Sequence, residues 1–408
     1  MQKRRARDDD TRQGPGLFHP RGESLRFLAD GGAGPFALAS PQPAMTGGRR
    51  GRSMDPGEQI RTGAGYPALA RFAPGDPGRP LVVFVTGGGV LARVAYGHRD
   101  GRPEDFLAHW LGQAGYPFLA ISYPIDNPVF GAPYPAFTVR DWGEQTAEIV
   151  EQFVVEARLP HQVLVLAWSM AGRIAEPLNA ALARRGVAIE LLVAISASTA
   201  LPGLLPALDQ LQPSAKGLAR VDGAFVDWLV GCLHDQNALA GRTLIADQAF
   251  RKEFTGDLPV NLAATALRYR DGGFVADPPA DADDVGATRY GGFPPLALIT
   301  HASPRDPRHA LGDRSAWGFY IAQTLCARRL WPRAAGLAAL PPERWRRIVE
   351  LVNGAPDELS LALPGSHLFF VGEAAARETV AALNALRARA ASLDAALDQA
   401  LAQAAPAR

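Results

Sequence analysis

Residues Val163 to Leu166 form an unbroken aliphatic run, and beyond them Ile174, Leu178, Ala181 and Leu182 recur at helical spacing with Arg173, Glu176 and Arg184 between. An apolar run without polar interruption predicts a strand buried on both faces of a parallel sheet, and the longer period predicts a helix with one apolar face. The same pairing repeats along the chain. Strand-like runs occupy Ala68 to Phe72, Leu81 to Val85, Pro117 to Tyr123, Ile189 to Ile195, Leu296 to Thr300 and Leu359 to Leu363. Helical patterns occupy 104–114, closed by Gly115, then 140–157 with Ile149, Val150 and Phe153 as the apolar face, then 308–353, and last the alanine-rich stretch 373–402. Strands alternating with helices predict an α/β fold, a mostly parallel sheet flanked by helices.

Two stretches break the alternation. Residues 1–60 are rich in Gly, Arg, Asp and Pro, show neither period, and read as a disordered segment in which Met54 offers an alternative translation start. Residues 199–293 carry apolar helical patches, Phe225 to Leu233 and Leu258 to Leu267, among loops rich in Gly, Pro and Asp. That is too long for a plain connection and predicts an insertion with structure of its own. The organisation expected is therefore a first part of the core at 61–198, a helical insertion at 199–293, a second part at 294–372 that carries the helical stretch 308–353, and a C-terminal helix at 373–408.

Composition narrows the class without naming a function. The chain has 408 residues, is 47% hydrophobic, and carries a formal net charge of +1, which gives no sign of nucleic acid as a partner. Cys232 and Cys326 make neither a disulfide framework nor a metal quartet. No apolar stretch reaches membrane-spanning length, the charged N-terminus is not followed by the core of a secretory signal, and a cytoplasmic location is expected. Oligomeric state leaves no trace in the sequence.

The candidate chemistry lies where the central strand meets its helix, in A-W-S-M-A-G, Ala167 to Gly172. A turn there holds the Ser169 hydroxyl clear of the backbone, where a base can reach it. The turn also opens a helix, so the free N–H of Met170 points at negative charge forming beside Ser169. The alternative for Ser169 is an ordinary helix N-cap. The stretch resembles the nucleophile elbow of the α/β-hydrolase family, G-x-S-x-G, with Ala167 and Ala171 in place of both glycines. Thr86-Gly87-Gly88-Gly89 follows an earlier strand, as the family's His-Gly-Gly-Gly loop does, with Thr86 in place of the histidine.

The resemblance covers about residues 66–372 and implies an α/β-hydrolase fold, a serine hydrolase acting through an acyl-enzyme, and an oxyanion hole from Met170, Gly88 and Gly89. It implies His367, in Pro-Gly-Ser-His after the last strand, as the base, and Asp306, in H-A-S-P-R-D-P, as the acid, with Asp313 and Asp357 as rivals. It also implies that the insertion is a lid, a packed satellite subdomain with no role in substrate access being the alternative, and it implies neither metal nor organic cofactor. Aromatic residues of the insertion, Phe225 and Trp228, together with the 124–138 loop, point to an ester or thioester with a hydrophobic acyl part. An acyltransferase using the same intermediate and a non-catalytic binding protein of the same fold are the other readings. His301 and Asp306 also spell His-x-x-x-x-Asp, a spacing found in some glycerolipid acyltransferases, which at a strand end reads as coincidence.

Overall fold

The strands β3 (Leu81–Val85), β4 (Phe118–Ser122), β5 (Gln162–Trp168), β6 (Ala188–Ile195) and β9 (Leu296–Thr300) are buried along almost their whole length, as their aliphatic runs require. In the computed structural model, which describes residues 54–204, 213–221 and 223–402, they form the middle of an eight-stranded sheet. Its order is β1-β2-β4-β3-β5-β6-β9-β10, where β1 is Glu58–Gly63, β2 is Tyr66–Ala73 and β10 is Ser360–Ala362. The first two pairings, β1 with β2 and β2 with β4, are antiparallel, and the rest are parallel. This is the α/β-hydrolase fold.

Topology alone points to one place for chemistry. From β3 the chain steps out to β4 and returns on the other side of β3 as β5, with Val85 opposite Ala167. The strand order reverses there, so a crevice opens beyond the carboxyl ends of β3 and β5, where open α/β sheets bind ligands. The glycine loop leaves β3 and the Ser169 turn leaves β5 at that crevice.

Among the helices that cover the sheet, Val139–Glu156 packs with Ala175–Arg184, and Leu107–Gln113 with Glu373–Leu401. Val139–Glu156 starts where it does because Thr138 and Asp141 form a reciprocal capping box, a device worth about 1 kcal/mol. No helix among the described residues is long and apolar enough to cross a membrane.

Two expectations change. The segment read as disordered to residue 60 lies outside the described residues up to 53, but β1 begins at Glu58. Its pattern is inverted: Ile60 is exposed, while Glu58 is buried in an ion pair with Arg93, 2.7 Å away. A strand whose buried positions are an acid and a glycine, Glu58 and Gly63, gives no apolar signal. The patch Leu258 to Leu267 is not an α-helix; it contains a 3₁₀ turn, Val260–Leu262, and runs into a hairpin of β7 (Leu267–Arg270) and β8 (Gly273–Ala276). The stretch is too short and too uniformly apolar to separate the two periods. The insertion is tied to the core by charge. Arg173, in the turn after Ser169, pairs with Asp281 at 2.6 Å with both side chains fully buried, and Asp284 accepts from the N–H groups of Val139 and Arg140 at that helix's N-terminus.

Candidate active site

Ser169 follows the extended Trp168 directly and has φ of +56°, the left-handed region that costs a non-glycine residue about 1–3 kcal/mol. Its neighbours hold it there. Ser169 O accepts from the N–H of Ser198 at 2.9 Å, Ala167 and Ala171 are fully buried, and a Cβ on Gly172 would lie 2.4 Å from Ser198 O. Alanine therefore suffices at both usual glycine positions, and the glycine that the turn needs stands one residue later. The helix does not begin as an α-helix at Gly172; a 3₁₀ turn, Ser169–Ile174, precedes Ala175–Arg184. Ser169 is not an N-cap: its hydroxyl is bonded to His367, and no side chain caps the turn.

His367 is almost fully buried, with Nε2 at 2.9 Å from Ser169 Oγ and Nδ1 at 2.8 Å from Asp306 Oδ2. The network assigns the proton to Nδ1, which donates to the carboxylate and leaves Nε2 to accept from the serine. The ring is walled by Trp168, Trp228 and His309, with centroids 5.3, 4.8 and 4.9 Å away. The Trp168 indole N–H donates to His367 O at 3.0 Å and fixes the loop that carries it. Burial lowers the pKa of His367 against the opposing pull of Asp306, so the imidazole stays neutral at pH 7.

Asp306 caps the helix Pro307–Leu325 and is held in place by His301, whose spacing to it reads in the sequence as coincidence. His301 Nδ1 accepts from the N–H of Ser303 at 3.1 Å, so its proton sits on Nε2, which donates to Asp306 Oδ2 at 3.1 Å. One carboxylate oxygen thus receives two imidazole N–H groups. Burial alone would raise the Asp306 carboxyl, but the hydrogen bonds from His301 and His367 outweigh it and hold the group well below the usual carboxylate range. The ligand atoms of His301, Asp306 and His367 lie within 4.8 Å of one another, a spacing that also suits a metal; each already has a hydrogen-bond partner within the cluster. The His-x-x-x-x-Asp spacing was the available signal for His301, and its meaning is local.

The rival acids lie elsewhere. Asp313 bonds His309 Nδ1 at 2.9 Å, and Asp357 is exposed and pairs with Arg314. Gly88 and Met170 line the cavity beside Ser169, but Gly89, expected as a third oxyanion donor, is otherwise engaged. Its N–H donates to Tyr123 Oη at 2.8 Å, and that hydroxyl donates on to Gly87 O at 3.0 Å. Gly89 has φ of +63°, a conformation open to glycine that aims its N–H at Tyr123. Thr86, in the place of the family's histidine, is buried and donates to Val90 O at 2.8 Å, closing the loop on itself. The cavity has a volume of about 320 Å³ and is walled on one side by Phe225, Trp228 and Leu258 of the insertion.

No family model matches the chain, and no curated protein matches it. Among solved structures it is similar to a hyperthermophilic esterase from the archaeon Pyrobaculum calidifontis, with 16% identity over 84% of this chain and 86% of that one and a TM-score of 0.40. It is also similar to an α/β-hydrolase fold protein from Nakamurella multipartita, with 14% identity, 82% and 100% coverage and a TM-score of 0.36. A thioesterase domain from the curacin biosynthetic pathway has 13% identity, 80% and 98% coverage and a TM-score of 0.34. At such values no residue role or substrate passes from these proteins to this chain, and the fold rests on the sheet order itself.

Proposed function

We propose that the protein is a serine hydrolase that cleaves a carboxylic ester or thioester through an acyl-enzyme. The observation that carries this reading is the continuous hydrogen-bonded series from Ser169 through His367 to Asp306, with the serine in a strained turn at the wall of an apolar cavity. A hydroxyl is a weak nucleophile until a base takes its proton, and His367 Nε2 is within reach to do so. Ser169 Oγ attacks the acyl carbonyl while its proton passes to Nε2. The imidazolium that forms is stabilised by Asp306, and the oxyanion is met by the N–H groups of Met170 and Gly88. Each such donor is worth about 10²–10³ in kcat. The imidazolium then returns its proton to the leaving alcohol or thiol, and water repeats the sequence on the acyl-enzyme with His367 as base.

The insertion acts here as a lid: Trp228 covers the His367 ring, and Phe225 packs on Trp228 at 5.6 Å between centroids. A hydrophobic acyl group suits those walls. Hydrolysis of a short series of p-nitrophenyl esters and acyl thioesters tests the reading, with turnover expected in the parent and lost in Ser169→Ala. No turnover on any member, together with no acyl-enzyme burst, would contradict it.

The cover over His367 carries a pH prediction. Burial disfavours the imidazolium, so the neutral base survives to lower pH, and the acid limb of kcat/KM should have its midpoint below the ordinary histidine value of 6.5. Trp228→Ala admits water to the ring and should move that midpoint upward toward 6.5. An unmoved midpoint would mean that Trp228 does not shield the base.

A further inference from the structure

Arg308 stands in the cavity wall beside Ser169 and His367. Its Nη1 and Nη2 donate to Ser198 Oγ at 3.0 and 3.1 Å, and Nη2 also meets His309 Nε2. These are polar but uncharged partners. Among the described residues no carboxylate lies within ion-pair distance of its guanidinium, whereas Arg305, three residues earlier, pairs with Asp235 at 2.7 Å. The acids on either side of it are taken: Asp306 by His301 and His367, Asp313 by His309. A guanidinium has five N–H donors, and Arg308 uses three of them in these contacts.

Asp313 and Asp306 act on this partly buried cation only from beyond contact, no carboxylate among the described residues touches it, and a planar guanidinium fork fits a carboxylate. Ser198 ties this cation to the nucleophile, because its own N–H donates to Ser169 O. His309, the other partner of Arg308, packs against the His367 ring. The guanidinium therefore sits within one residue's contacts of both the nucleophile and the base, in a cavity whose insertion side is apolar and whose one carboxylate among the described residues, Asp306, is bonded to two imidazoles.

We propose that the ester or thioester taken by this site carries a carboxylate of its own, bound by Arg308 while the apolar part of the molecule lies against Phe225, Trp228 and Leu258. This rests on the serine hydrolase reading for the reaction, but not for the binding. Arg308 is a substrate-binding residue here, and a single half-buried cation suits a monoanion better than a phosphate dianion. Arg220, exposed in the same wall, adds positive potential that favours entry of such a substrate.

The test compares substrates matched in size. Mono-p-nitrophenyl adipate places the carboxylate on the acyl side, 3-carboxy-4-nitrophenyl hexanoate places it on the leaving group, and p-nitrophenyl hexanoate lacks it. One of the two anionic esters should exceed the neutral one in kcat/KM by at least roughly tenfold, as hydrogen bonds to charged groups imply. Arg308→Gln should abolish that preference, mainly through KM, and Arg308→Lys should restore part of it. A parent enzyme with no preference for either anionic ester, or an Arg308→Gln variant that keeps the preference, overturns the proposal, and the first of these results does not depend on the variant folding. If no ester is turned over and a fluorophosphonate leaves Ser169 unlabelled, the hydrolase reading has failed separately. Thermal shift with hexanoate against hexanamide then decides the binding. Stabilisation by hexanoate alone, lost in Arg308→Gln, supports the carboxylate site, and equal effects of the two ligands overturn it.

Discussion

Asp306→Asn is expected to lower kcat by at least roughly a hundredfold while leaving KM and the melting temperature close to those of the parent; in a well-studied triad the same change costs about 10⁴. The expectation follows from what the carboxylate does. Its Oδ2 accepts from His367 Nδ1 at 2.8 Å and so keeps the lone pair of Nε2 facing Ser169. An asparagine amide that turns its NH₂ to this position would favour the other tautomer, with the proton on Nε2, and the base would be lost. The fold should tolerate the change, because asparagine is as good a helix N-cap as aspartate at the start of Pro307–Leu325. Asp357→Asn, on an exposed carboxylate paired with Arg314, should stay within a few fold of the parent. If Asp313→Asn carries the large loss instead, His309 and Asp313 are the working pair and Asp306 is only a cap.

Gly87→Ala should be nearly as damaging, for a steric reason. A Cβ at position 87 would stand 2.6 Å from Ser169 Cβ and 3.1 Å from Ser169 Oγ. Neither side can yield easily, since Ser169 is held at positive φ by the packing of its turn and Gly87 O accepts from Tyr123. Overpacking of this kind costs about 1–3 kcal/mol of stability, and displacing a nucleophile by about 1 Å can cost 10²-fold in rate. Steady-state kinetics on p-nitrophenyl esters, with thermal melts alongside, would separate the two effects. Gly112→Ala, at a position where a Cβ meets nothing within 4 Å, is the control. Parent-like activity in Gly87→Ala would mean that the loop after β3 can withdraw from the serine.

The parallel core was legible because its strands are buried on both faces, so that aliphatic runs such as Leu81–Val85 and Leu296–Thr300 stand out from amphipathic helices on either side. β1 was hidden for the opposite reason: its inward position is Glu58, satisfied by an arginine thirty-five residues away, and no local pattern records a partner at that distance. The hairpin of β7 and β8 was equally silent, with each strand four residues long and only partly buried.

At the site, the turn around Ser169 could be read locally because strand, small residues and helix are contiguous there. Asp306 and His367 were legible only through chain order and a family resemblance, and the structure brings both to Ser169. What the sequence could not carry were the contacts made across elements. Nothing near Gly89 announces that Tyr123 takes its N–H, and nothing near His301 announces that it shares Asp306 with His367. Trp228 was noticed as an apolar residue of the insertion, but its place over the His367 ring depends on how the Ala224–Ala240 helix packs.

Labelling with a fluorophosphonate, followed by peptide mass spectrometry, tests the role of Ser169 most directly. Only a serine paired with a base and facing oxyanion donors reacts readily with such a reagent. A single adduct is expected, on Ser169, abolished in a folded Ser169→Ala variant and strongly slowed in Asp306→Asn. An adduct on Ser196 or Ser198 in place of Ser169, or labelling undiminished in Ser169→Ala, would contradict it.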